Sequence, residues 1–85
     1  MASDVEVVEI QECYARNETK RGEPDQGGLL VQFDDLDEEW IPKSQIHNDS
    51  PVYKEGDRGA LICTKWIADK KKITGRGTVR YVGGF

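Results

Sequence analysis

Leu29-Leu30-Val31-Gln32-Phe33, then Asp34-Asp35-Leu36-Asp37, then Glu38-Glu39-Trp40-Ile41 is the stretch on which the fold turns. Leu29, Val31 and Phe33 fall on one side of an extended chain, the period-two pattern of a half-buried strand. The acidic segment has turn chemistry, and residues 38–41 return as the hairpin partner. Pro42 stops that strand, because it has no N–H to give to a ladder. Lys43-Ser44-Gln45-Ile46 then fits one helical or 3₁₀ turn, which would set Trp40 and Ile46 as buried anchors on either side of it.

Working outward, residues 4–14 are rich in β-branched side chains, with Val8, Ile10 and Tyr14 alternating against polar positions. A helix is the rival reading, since Val7, Ile10 and Tyr14 share a helical face and Ser3 with Glu6 could form a capping box. The strand is preferred, because Val and Ile lose χ1 freedom in a helix. Residues 15–28 are polar and end in Gly22-Glu-Pro-Asp-Gln-Gly-Gly28, which reads as a long flexible loop. Downstream, residues 48–51 and 54–57 are turns, and Ala60-Leu-Ile-Cys63 is the candidate central strand. Thr64 is a suitable N-cap for a short helix near 65–72, with Gly75 as its stop. The end, 74–85, holds either a last strand at Thr78–Val82 or a flexible tail. The sum is a single domain over 1–85, mainly β with α+β character. The expected architecture is a small half-open antiparallel β-barrel, SH3-like or OB-like, with one short helix.

Residues 29–73, about half of the chain, resemble a small module of bacterial and phage proteins. The resemblance is carried by Trp40-Ile-Pro-Lys-Ser-Gln-Ile46, matching a W-[I/L]-P-K-S-Q-[I/V] core. Lys65-Trp-Ile-Ala-Asp-Lys-Lys71 follows it, matching a W-[I/L]-A-x-K-K helix. The chain departs from the module in the Gly/Pro segment at 15–28 and in the Gly75-Arg-Gly77 tail. The resemblance implies a place beside phage or bacterial DNA replication and recombination.

Eighty-five residues make a small core and marginal stability. There is no apolar run of bilayer length and no signal-peptide pattern, so the expected location is cytoplasmic, the host cytoplasm if phage-encoded. In that compartment Cys13 and Cys63 read as packing residues. Together with His47 they match no zinc spacing, so no metal and no cofactor is expected. His47 itself has no partner in the sequence pattern and reads as a surface residue. Lys43 beside Ser44 suggests nucleophilic chemistry only superficially, since adjacent residues on a tight turn point apart and no oxyanion donor set accompanies them. The chain is therefore read as non-enzymatic.

Charge is segregated. Residues 1–57 hold 15 of the 16 acidic residues and 5 of the 12 basic ones, a net of −10; residues 58–85 carry +6. Such asymmetry points to an electrostatic partner, or to a chain that neutralises itself on folding. Lys65, Lys70, Lys71, Lys72, Arg76 and Arg80 are interleaved with Trp66 and Tyr81, a combination suited to the phosphates and unpaired bases of single-stranded nucleic acid. For Trp66 itself the preferred reading is the anchor of its helix in the core, with base stacking as the alternative. Asp34, Asp35, Asp37, Glu38 and Glu39 form the opposite pole. They fail the EF-hand spacing and read first as a solvated hairpin tip, with docking on a basic protein partner, in imitation of nucleic acid, as the alternative use. Exposed strand edges in so small a sheet would also allow a homodimer.

Overall fold

The computed structural model describes residues 4–21, 23–34 and 37–83, and only the backbone of residues 20, 21 and 23–26. Five strands, β1 (Val5–Arg21), β2 (Glu23–Gln32), β3 (Glu38–Pro42), β4 (Arg58–Thr64) and β5 (Thr78–Val82), form one antiparallel sheet. A 3₁₀ turn at Lys43–Gln45 follows β3, and helix α1 (Lys65–Lys71) follows β4 directly. The fold is thus mainly β, an open five-stranded antiparallel sheet with one short helix. Among the described residues no helix is long and apolar enough to cross a membrane.

The long first strand organises the rest. Its order of neighbours is β3-β2-β1-β4, and its N-terminal part also carries β5. Val7, Val8 and Glu9 pair with β4 on one side and with β5 on the other, while Tyr14 through Arg21 pair with β2. A strand serving three partners must bend, and bulges supply the bend. Ile10 faces Leu61 but Cys13 faces Gly59, so β1 holds one extra residue there, and Glu12 adopts φ 59° to make room for it. The extra residue reverses the alternation: Val8 and Ile10 point into the core before the bulge, Cys13 and Ala15 after it. Tyr14, expected to share a face with Val8 and Ile10, is turned away, and the Arg58 guanidinium covers its ring at 4.2 Å.

The loop expected over 15–28 is a second correction. Asn17 pairs with Leu30, Glu18 with Leu29, Thr19 with Gly28 and Arg21 with Glu23, so these residues are the distal part of the β1–β2 hairpin. Gly22 lies outside the described residues. The polar composition of this segment hides the strand, because its order comes from the apolar partner that it pairs with.

Leu29, Val31 and Ile41 from the central hairpin meet Ile46, Val52, Leu61 and Cys63 in the core. Helix α1 closes it with Ile67 and Ala68, and Ile73 adds to it just beyond. Thr64 caps the helix as expected, its Oγ1 accepting the Ile67 N–H at 3.2 Å. The stop is Lys72 and not Gly75: Lys72 sits at φ 62° and its N–H reaches the carbonyls of Ala68 and Asp69. The outer side of β4 is covered by the segment after the 3₁₀ turn, through His47 N–H to Ile62 O at 2.8 Å and Val52 N–H to Ala60 O at 3.1 Å. At the other end, Gly77 lets β5 dock on β1. A Cβ there would overlap the Glu9 carbonyl oxygen and lie 2.8 Å from Ile10 Cγ1.

Candidate functional site

The two charged poles of the sequence meet in the fold. Arg76, on the 3₁₀ turn Thr74–Arg76, reaches Asp34 at 3.2 Å and also bonds Asp37, while its guanidinium lies 5.4 Å from the centre of the Phe33 ring. These carboxylates hold the Arg76 pKa above its ordinary value. Lys71 approaches Glu39 at 3.9 Å, Arg16 bonds Glu38 at 2.6 Å and Arg80 bonds Glu9 at 2.7 Å. The acidic turn is also braced internally, with Asp37 N–H donating to Asp34 Oδ1 at 2.9 Å. Asp35 lies outside the described residues. Among the described acids of this turn, Asp34, Asp37, Glu38 and Glu39 therefore each face a cation of the same chain.

The basic strip divides into two groups. Arg76 and Arg80 are engaged by carboxylates, and Lys65 bonds Asp69 one helical turn on at 2.7 Å. That bond holds the Asp69 pKa below the ordinary carboxylate range, helped by the Thr74 hydroxyl. Lys70 instead lies over the indole of Trp66, with Nζ 5.0 Å from the ring centroid, and Lys72 projects from the helix stop in an exposed position. Trp66 is 61% exposed, which overturns its reading as the core anchor of the helix. A seven-residue helix has one face for the core, and Ile67 and Ala68 occupy it. Tyr81, on β5, is 66% exposed, its hydroxyl 3.5 Å from the Glu6 carboxylate. Two large aromatics are thus presented to solvent, Trp66 with the Lys70 ammonium over its ring and Tyr81 beside a carboxylate.

Other side chains depart from their sequence readings. Trp40 is 39% exposed and packs over Gly28, where the reading made it a buried anchor; its partner Ile46 is buried. His47 is buried. Its Nδ1 accepts the Asp49 N–H at 3.0 Å, and its Nε2 lies 3.2 Å from Gly83 O, so the proton belongs on Nε2. Lys43 is buried as well, bonded to Glu18 at 2.6 Å, with its ammonium 4.8 Å from the centre of the Tyr53 ring. Glu18 also accepts the Glu55 N–H at 3.0 Å, so one carboxylate ties β1 to the turn before β4. Nothing local marked this pair, because its members are 25 residues apart. Cys13 and Cys63 are buried, free thiols, and burial pushes their pKa values up to about 11 and about 12. Such thiols are poor nucleophiles.

The chain matches no protein-family model, no curated protein and no solved structure.

Proposed function

We propose that this protein is a non-enzymatic binding module for single-stranded nucleic acid, acting through Trp66, Lys70, Lys71, Lys72 and Tyr81. The observation that carries the reading is Trp66: 61% exposed, with the Lys70 ammonium held over its ring. Trp66 lies outside the core cluster, and alanine substitution at base-stacking positions costs about 1–3 kcal/mol per base. Arg76 and Arg80 are left out of the contact set, since each would have to leave a carboxylate first. For the same reason a basic protein would have to displace Arg76 to dock on Asp34 and Asp37. The resemblance over residues 29–73 gives the setting of this proposal, phage or bacterial DNA metabolism in the cytoplasm.

The net charge of −4 limits the affinity to a few phosphates. With Lys70, Lys71 and Lys72 as the neutralising cations, log affinity should fall against log salt with a slope of roughly −2, from about −0.7 per phosphate for a single strand. Titration of a fluorescein-labelled oligo(dT) across a salt series measures this. Trp66→Ala should weaken binding about tenfold with a nearly unchanged slope, while Lys70→Ala together with Lys72→Ala should flatten the slope. Absence of binding at 20 mM salt would sink the proposal, as would binding indifferent to Trp66→Ala.

A further inference from the structure

A groove of ≈ 430 Å³ lies beside β3, which pairs with β2 alone among the described strands. Its volume falls in the range of roughly 300–1,000 Å³ that small-ligand sites occupy. Trp40 forms one wall. One side of the indole rests on Gly28, where an added Cβ would lie 3.4 Å from Trp40 Cε3, and the ring is 39% exposed. The floor is fixed: Thr19 Oγ1 accepts the Gly28 N–H at 3.0 Å, which keeps the backbone of β2 against β1 beneath the ring. Among the described residues that line the groove, Lys71 carries the only charge. Its ammonium is 3.9 Å from the Glu39 carboxylate, beyond hydrogen-bond length, and is free to turn toward a second anion.

We infer that this groove is a second nucleotide subsite, in which Trp40 stacks a base and Lys71 takes the adjoining phosphate. The inference rests on the single-strand reading above and extends it by adding Trp40 as a second stacking surface and by assigning Lys71, already among the contacts, to the phosphate beside it. The wall supplies a π-face and the rim one cation, a pairing that matches an anionic chain of aromatic units better than an uncharged peptide. Lys71 stands on the same helix as Trp66 and Lys70. Lys71 is turned about 140° around the helix axis from Trp66, so the groove would take a different part of a bound strand from the one on Trp66.

The chain has two tryptophans, so each can be made the sole reporter. Trp66→Phe leaves Trp40 as the emitter, and Trp40→Phe leaves Trp66. Both variants are titrated with oligo(dT) of four, eight and twelve nucleotides at low salt, with far-UV circular dichroism confirming the fold of each. Quenching in both variants is expected, with Trp40 responding only to the longer strands. Adding Lys71→Ala to Trp66→Phe should lower affinity severalfold and reduce the salt slope by about 0.7. If Trp66 is quenched and Trp40 is unmoved at every length, the subsite is refuted while the single-strand reading stands. If neither is quenched, the single-strand reading itself fails, and the subsite with it. Quenching of Trp40 that ignores Lys71→Ala overturns the phosphate contact.

Discussion

Lys43→Ala tests the energetic weight of the ion pair that sequence reading did not anticipate. The side chains of Lys43 and Glu18 are each about 10% exposed and meet at 2.6 Å. Removing one partner of a buried pair costs about 3–5 kcal/mol, mostly because the other charge stays desolvated. Here Glu18 keeps the Glu55 N–H, which places the expected loss near the lower end, about 3 kcal/mol. A domain of this size has roughly 4–13 kcal/mol in all, so the variant should lose a quarter or more of its stability. In thermal unfolding that corresponds to a drop of about 12–24 °C. Replacing both members by apolar residues, Lys43→Met with Glu18→Leu, should cost far less than the sum of the single changes. Urea unfolding followed by tryptophan fluorescence yields the four corners of the cycle. A coupling of at least about 2 kcal/mol that persists in 0.5 M salt is expected, since buried charges are weakly screened. Arg16–Glu38, with side chains 51% and 39% exposed, should show almost none. Additive single changes, or a coupling abolished by salt, would refute the reasoning.

Three further outcomes follow from the same contacts. Gly77→Ala should destabilise the fold by several kcal/mol, because the new methyl collides with the Glu9 carbonyl where β5 joins β1; hydrogen exchange should show β5 amides losing protection first. Lys72→Gly should raise the unfolding free energy from urea denaturation by about 1 kcal/mol, since only glycine adopts φ 62° without cost, and should weaken oligonucleotide binding by removing a cation. Finally, native Cys13 and Cys63 should resist thiol reagents at pH 8, and stability should decline above about pH 9. The unfolded chain releases thiol protons there while the folded thiols hold theirs to about 11 and about 12, so each thiol contributes a slope of about −1.4 kcal/mol per pH unit in that window. Cys63→Ala should roughly halve that slope.

What was legible in the sequence follows from the range of the interactions. The hairpin at 29–41 and the strand at 60–63 show in their own apolar spacing, and Thr64 announces the helix because its cap bond spans three residues. The distal hairpin at 15–28 does not show, since its polar residues gain order from pairing with Leu29, Leu30 and Val31. Tyr14 was misplaced by one bulge, because an extra residue inverts every later position of a period-two pattern. His47 and Lys43 were misread for a different reason: their partners, Gly83 and Glu18, are 36 and 25 residues away. At the candidate site, residue types were readable but exposure was not. Trp66 looks the same in sequence whether it faces the core or solvent, and only the packing of Ile67 and Ala68 decides it. The charge split was visible from the start, but not that Arg76 would hold Asp34 and Asp37.

The bent first strand also bears on how the molecule is made. β1 is synthesised well before β5, yet its N-terminal residues take a partner from Thr78–Val82. A chain still attached to the ribosome therefore carries Val5–Glu9 with one backbone edge unpaired until β5 has emerged. The interval between exposing that edge and closing it spans the synthesis of every element between β1 and β5. The dense acidity of residues 1–57 lies across that vulnerable period, and mutual repulsion between nascent chains would keep the open edge from finding a neighbour before its own strand arrives.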